Sequence, residues 1–303
     1  MSCPKVSVVI PTYNRRDLVL DALGSVFAQT MTDHEIIVIN DESLDDTEEV
    51  LAPLAESGRI RYIRQDKAGQ AAALNLGISE ACGEFVAFLD DDDMWPADRL
   101  EWQVKLLESL PRHVAVTGNY KELASETIPD QIADTRDLSP ADFMEGALMR
   151  SPGQVLFRRQ ALLDVGGFDL RVWCVQDWDL YFRISALGPI RYEPHPALLY
   201  RVHEGNASKN YWRMYKNALR VYRKHRSRDP KYNPLRWIWG NPPLARVYRY
   251  QADAAAQEVG GAGRLLHKLR ARWCAVCLIP EDAVVKARIY GGLVRRRLRR
   301  GKG

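Results

Sequence analysis

Apolar and polar positions along the first 110 residues alternate between two rhythms. Val6 to Ile10 is a compact apolar run, closed by Pro11-Thr12-Tyr13-Asn14-Arg15. Asp17 to Gln29 then carries Leu18, Ala22, Val26 and Phe27 near helical spacing. Glu35–Ile39 repeats the strand pattern, and Asp45–Ala55 follows as a helix. Ile60–Ile63, an Ala-rich helix over Gln70–Ala81, a fourth strand over Glu84–Leu89 and an amphipathic helix over Ala97–Leu110 continue it. Strands alternating with helices at this interval predict βαβ units: an α/β fold with a mostly parallel central sheet flanked by helices. Beyond it, His113–Thr117 and Gln154–Phe157 read as strands, and the polar section from Tyr120 to Ser151 reads as a loop walling the site. Gly166-Gly167-Phe168-Asp169 reads as a turn, and a helix opens at Gln176-Asp177-Trp178-Asp179 and runs to about Leu187.

In open α/β sheets ligands bind beyond the carboxyl ends of the strands. Three such ends here are polar: Thr12 to Arg15, Asn40 to Ser43, and Asp90 to Asp93. They are expected to meet in one crevice. The last is the most telling, because four consecutive carboxylates follow a buried-looking strand. Like charges repel and Asp is a poor strand former, so stability alone does not explain the run. Hard oxygen ligands are what Mg²⁺ or Mn²⁺ prefer, and such a cation would relieve the repulsion. The competing reading is a solvated turn capping the next helix. No glycine fingerprint or P-loop follows the first strand, which argues against a dinucleotide fold or a P-loop enzyme. At Gln176–Asp179, two Asp in a first helical turn have an ordinary explanation as dipole partners. They also leave one free for chemistry.

Composition adds a division. The net charge of +4 conceals 20 basic against 34 acidic residues over 1–210, and 23 against 5 over 211–303. That split predicts two regions, 1–209 and a basic, mainly helical 210–303, the second facing something anionic. The N-terminus lacks a signal-peptide pattern and no run reaches the apolar length of a membrane span. Five scattered cysteines suit reduced thiols, so a cytoplasmic location is expected. Cys274-Ala275-Val276-Cys277 has metal or redox spacing without a second pair, and reads as two buried thiols on a helix.

Taken in order, these stretches resemble the family 2 glycosyltransferases of the GT-A (nucleotide-diphospho-sugar transferase) fold, inverting enzymes that use nucleotide-sugar donors. The resemblance spans about residues 5–208. Pro11-Thr12-Tyr13-Asn14-Arg15 is similar to the family's opening motif. Ile36 to Ser43 is similar to its strand followed by two Asp and Ser, with Asn40 in place of the first Asp. Gly69 to Gly77 resembles its Gly, Ala and Asn-x-Gly helix, with Leu74 where Arg is frequent. Asp90-Asp91-Asp92 fits Asp-x-Asp, Gln176-Asp177 stands where Glu-Asp is common, and Tyr200-Arg201-Val202-His203 through Ser208 resembles the closing motif.

The resemblance implies roles. Pro11, Thr12, Tyr13 and Arg15 would frame a uracil or thymine and the diphosphate, Asp41 would contact the base, and Gly69 and Asn75 would serve the donor side. Asp90 and Asp92 would hold Mn²⁺ or Mg²⁺ with His203, and Asp91 would reach the ribose. Asp177 would be the general base, aided by desolvation from Trp178. Trp173 and Trp178 are read as core residues, with a sugar-stacking platform as the alternative. The implied reaction moves a sugar from a UDP- or dTDP-sugar to a saccharide or lipid-linked saccharide hydroxyl, in bacterial surface polysaccharide or glycolipid synthesis. A catalytically inactive sugar-nucleotide sensor or membrane-recruited scaffold is the reading from another class. A sugar-1-phosphate nucleotidyltransferase would need a basic Gly-rich loop that Pro11 to Arg15 does not provide.

From 210 on, the resemblance gives little. Tyr211–His225 reads as a helix with an aromatic stripe. Leu265, Leu266, Leu269, Trp273, Val276 and Cys277 form an apolar stripe ringed by Arg264, Lys268, Arg270 and Arg272. Such a helix suits an anionic membrane at the inner face of the plasma membrane, or equally a dock on the acidic first region. Arg295-Arg296-Arg297 and Arg299-Arg300 suit lipid phosphates; nucleic acid is the weaker reading, because no binding motif accompanies them.

Overall fold

The computed structural model describes residues 3–124, 133–144 and 148–203, with six further positions between 217 and 225. The chain divides into two compact units, Met1–Phe143 with Ala147–Ala207, and Met144–Gly146 with Ser208–Gly303. The first unit is described below. The stripes over 211–225 and 264–277, the terminal arginines and the Cys274/Cys277 pair lie outside the described residues or nearly so.

An eight-stranded sheet carries the first unit, in the order β3-β2-β1-β4-β7-β5-β8-β6. Its first half is the βαβ series: β1 (Val6–Thr12), α1 (Arg16–Phe27), β2 (His34–Asn40), α2 (Thr47–Glu56), β3 (Arg61–Arg64), α3 (Gln70–Glu80) and β4 (Phe85–Phe88), followed by α4 (Arg99–Ser109). β1 pairs in parallel with both β2 and β4, and β2 with β3. β1 and β4 are buried at every position, as continuous apolar runs covered on both faces should be. β3 sits at the edge and shows both outer residues to solvent.

Both sheet faces are packed. Val6, Val8, Ile10, Phe85 and Ala87 face Ala22, Leu23 and Val26 of α1 and Leu100 and Leu107 of α4. On the opposite face α3 lies so close to β1 that a Cβ at Gly77 would stand 2.1 Å from Val9 Cγ1. Only glycine allows that approach.

The second half mixes directions: β5 (Ala115–Glu122), β6 (Arg136–Leu138), α5 (Pro140–Met144), a 3₁₀ turn (Pro152–Gln154), β7 (Leu156–Arg158), α6 (Arg159–Asp164), α7 (Gln176–Ile184) and β8 (Ile190–Tyr200). β7 runs antiparallel between β4 and β5, and β6 antiparallel to β8, while β5 and β8 are parallel. The section expected to be a loop from Tyr120 to Ser151 therefore contains regular elements, since β5 continues to Glu122 and β6 and α5 lie within it.

β8 was not legible from its pattern. Pro194 and Pro196 interrupt it, and proline cannot donate to a ladder. The register between β5 and β8 jumps from Gly118↔Glu193 to Asn119↔Pro196, so Pro194 and His195 sit in an irregularity where no ladder donor is needed. Past it, β8 bridges to the acidic run: Leu199 N donates to Met94 O at 2.8 Å, and Met94 N to Leu199 O at 3.1 Å. That bridge delivers Arg201 and His203 to the strand ends.

Candidate active site

The carboxyl ends of β1, β2 and β4 do converge. Asp41 N donates to Thr12 O at 2.9 Å. Asn14, held at φ 51°, donates its N–H to Ser43 Oγ and accepts from Leu44 N through Oδ1. Asn40 ties off the second strand end: Oδ1 accepts from Ser43 N and Nδ2 donates to Tyr62 Oη. Pro11 and Thr12 are the buried last positions of β1, and Tyr13 is partly exposed beneath the Lys67 ammonium.

Asp41 is occupied by the chain. Its Oδ1 accepts from Gln65 Nε2 at 2.6 Å and Ala68 N at 2.8 Å, and Oδ2 accepts from Gly69 N at 3.0 Å. It thereby shapes the turn into α3, where Gly69 adopts φ 90° as the residue before the helix. Asn75 is engaged by the turn that follows α6. Its Nδ2 donates to Phe168 O at 2.9 Å and its Oδ1 accepts from Phe168 N at 2.7 Å, so both its amide atoms hold the turn at Gly167-Phe168.

The four carboxylates divide. Asp91 accepts from Arg15 Nη1 at 2.8 Å, and the same nitrogen makes a short contact to Asp92 Oδ2. Asp92 Oδ2 also lies 2.8 Å from His203 Nε2. Asp93 Oδ1 accepts from the Arg201 N–H at 2.9 Å, while its buried Oδ2 has no partner. Asp90 accepts from Gln70 Nε2 at 2.7 Å through Oδ1 and from Ser151 Oγ at 2.8 Å through Oδ2. Asp90, Asp92 and Asp93 each offer an oxygen within 4.8 Å of the others, the one such acidic group among the described residues. The expected ligands were Asp90, Asp92 and His203; the group that the structure brings together is Asp90, Asp92 and Asp93, and His203 meets it through Asp92.

Such crowding is costly without a cation. Burial first, and then the charge of Asp92, push Asp90 up to about 6 against the relief from Ser151, Arg15 and Gln70. Burial pushes Asp91 up to about 7 even with Arg15 beside it, and Asp93 is raised well above the usual range by burial and by Asp90 and Asp92. An orphaned buried carboxylate oxygen among crowded hard ligands fits a Mg²⁺- or Mn²⁺-type ion. In this structure Arg15 supplies the positive charge.

Asp177 stands in the first turn of α7, where its Oδ1 accepts from Trp178 N at 2.8 Å. Burial pushes it up to about 7, with a further rise from the charge of Asp90. A side-chain relay joins its helix to the carboxylates: Gln176 Nε2 donates to Gln70 Oε1 at 2.9 Å, and Gln70 in turn to Asp90. Trp178 anchors the turn, buried with its Nε1 donating to Phe143 O at 2.8 Å. Trp173 is not a core residue as expected: it is 38 % exposed in the segment leading to α7. One turn beyond Asp177, the buried Tyr181 hydroxyl is kept protonated by burial and then by the charges of Asp177 and Asp90.

Gln70, Ser151, Gln176 and Tyr181 were not singled out as site residues by the sequence. Gln and Ser carry no spacing signal, and their contacts here span separations of 61 and 106 residues.

Comparison with known proteins agrees with this arrangement. The family model for glycosyl transferase family 2 matches residues 7–166. An uncharacterized glycosyltransferase of Rickettsia felis is 30 % identical over 217 residues, covering 68 % of this chain and 36 % of that protein. The chain thus spans about a third of that relative's length. TuaG of Bacillus subtilis, provisionally named for teichuronic acid biosynthesis, is 29 % identical over 228 residues, covering 73 % of this chain and 88 % of its own. Among solved structures, S. aureus TarS 1–349 in complex with UDP-GlcNAc superposes with a TM-score of 0.60 at 17 % identity, covering 90 % of this chain and 88 % of that one. The mannosyltransferase PcManGT of Pyrobaculum calidifontis, in complex with GDP-Man and Mn²⁺, gives 0.59 at 22 % identity, covering 97 % and 81 %. At those identities the structural likeness shows the GT-A fold. With a family model matching more than half of its length, the chain belongs to glycosyl transferase family 2.

Proposed function

We propose that the protein transfers a sugar from a nucleoside-diphosphate donor to an acceptor hydroxyl by a single, inverting displacement that uses a divalent cation. The observation that carries this reading is the pairing of two unlike acidic centres in one crevice. One is the crowded group of Asp90, Asp92 and Asp93; the other is Asp177, partly buried at the start of α7 and pushed up to about 7. Carboxylates whose surroundings separate their tasks are a mark of acid–base sites.

Asp90, Asp92 and Asp93 would hold the cation, with His203 orienting Asp92 through its 2.8 Å contact. When bound, Mn²⁺ or Mg²⁺ supplies positive charge to the departing nucleoside diphosphate. Thr12, Tyr13, Asp41 and the Gly69 turn line the nucleotide side, following Pro11 out of β1, and Asp91 faces the ribose. Arg15 moves its charge from the carboxylates to the diphosphate. Asn75 serves the donor through the Phe168 turn it holds. Asp177 accepts the proton of the acceptor hydroxyl, and a value near 7 lets it be a base at neutral pH and still a strong enough acceptor. The Gln70–Gln176 relay fixes the spacing between the two centres.

UDP- or dTDP-linked sugars are the proposed donors, supported by UDP-GlcNAc in TarS, and a saccharide or lipid-linked saccharide is the proposed acceptor. GDP-mannose in PcManGT makes a guanosine donor the comparison to include. The test is a donor panel read by nucleoside-diphosphate release, with Mn²⁺, with Mg²⁺ and with chelator. One donor should turn over with metal only, and the anomeric configuration of the product should be inverted by NMR. Retained configuration, or full activity in chelator, would overturn the reading.

A further inference from the structure

Cys3 and Cys82 are far apart in the sequence and adjacent in the fold. They precede the neighbouring parallel strands β1 and β4, each three residues before a member of the aligned pair Val6↔Phe85. The lead-in to β4 is fixed in place. Phe85 N donates to Lys5 O at 3.1 Å, Gly83 N to Ser7 Oγ at 2.9 Å, and Cys82 N to Glu35 Oε1 at 3.1 Å. Both cysteines are exposed, and their thiols are within hydrogen-bond reach of each other.

We propose that Cys3 and Cys82 form a dithiol modification site that closes to an intramolecular disulfide by exchange with a low-molecular-weight disulfide such as oxidised glutathione. Cys3 is the attacking group. The hydrogen bond to Cys3, then burial and Glu35, push the Cys82 thiol up to about 12, so Cys82 keeps its proton while Cys3 reacts. The Cys3 thiolate attacks one sulfur of glutathione disulfide, forming a mixed disulfide and expelling one glutathione thiolate. Capping Cys3 removes the interaction that held the Cys82 proton. Cys82 then loses it to solvent, and its thiolate attacks Cys3 Sγ and expels the second glutathione. The protein loses two electrons and two protons, and the glutathione disulfide is reduced to two thiols.

The pair sits at the amino ends of the strands, opposite the carboxylates at their carboxyl ends. Its closure therefore clasps the start of the chain to the sheet without entering the crevice. The cross-link closes the loop from residue 3 to residue 82, so the thermal midpoint should rise by several degrees.

The test treats the reduced full-length protein with glutathione disulfide and reads intact mass, non-reduced peptide maps and thermal midpoint. The expected result is loss of two hydrogens with no retained adduct, a Cys3–Cys82 linked peptide, and a higher midpoint that dithiothreitol reverses. Cys82→Ser should fold, keep transferase activity when reduced, and trap glutathione on Cys3 with no rise in midpoint. Stable separate adducts on both cysteines of the wild-type protein, or two thiols that stay alkylatable, would overturn the proposal.

Discussion

Asp177 and the acidic run differ in what surrounds them more than in what they are. Asp177 is lifted to about 7 mainly by burial, and Asp90 to about 6 and Asp91 to about 7 by burial together with the charge of Asp92. Two consequences follow in pH. As the proposed base, Asp177 must be ionised, so kcat/KM should fall as pH drops below about 7, with one ionisation on the acid limb. A flat profile from about pH 5 to 8 would contradict its role. The second concerns stability. These carboxyls hold their protons more tightly folded than unfolded, so their contribution is fully present below about pH 4 and is lost as pH rises through 6 to 7. Metal-free protein should therefore melt at a lower temperature at about pH 8 than at about pH 5. Mn²⁺ should raise the midpoint more at the higher pH, and an equal or reversed shift would count against a metal bound by these groups. The meeting of Asp90, Asp92 and His203 at one strand end was legible in the sequence because a run of acids and an ordered motif mark it, while their roles and that of Asp177 are proposals. Asp93 in the metal group, and Ser151 and Gln70 on Asp90, were not, because tertiary packing alone assembles them.

At the scale of elements, the βαβ half was readable and the mixed half less so, for one physical reason. Val6–Ile10, Ile36–Ile39 and Phe85–Leu89 are runs buried on both faces, and the amphipathic helices between them keep a steady period. β8 instead carries two prolines in a register irregularity, and β6 and β7 are three residues each, too short to show a period. The packing of α3 on β1 yields a stability prediction. Gly77→Val would drive a side chain into Val9, and should cost about 1–3 kcal/mol in denaturant unfolding. A change near zero would mean that α3 moves freely on the sheet. Asn75→Ala would strip both partners from the Phe168 backbone, with a cost of about 1–3 kcal/mol. Its effect on unfolding should exceed its effect on donor affinity. The opposite order would place Asn75 on the donor itself.

For the whole molecule, the acidic first region and basic second region are the strongest signal in composition. No helix among the described residues is long and apolar enough to cross a membrane. The basic stretch from Arg264 onward suits an anionic membrane surface, where a lipid-linked acceptor would lie, or equally a dock on the acidic region. Full-length protein should sediment with anionic liposomes in a salt-sensitive way, and deletion of 264–303 should abolish it. Sedimentation unchanged by the deletion would return the charge split to its other explanation, a dock between the two regions.

The central claim is that Asp177 takes the acceptor proton at a site whose donor is held by other residues. The most direct measurement is Asp177→Asn, assayed for turnover and for donor binding on the same preparation with Mn²⁺. The amide keeps an oxygen for Trp178 N and removes the base, so kcat should fall by roughly 10²-fold or more while donor affinity stays within about a few-fold of wild type. Near-full activity, or loss of donor binding in step with activity, would contradict the assignment.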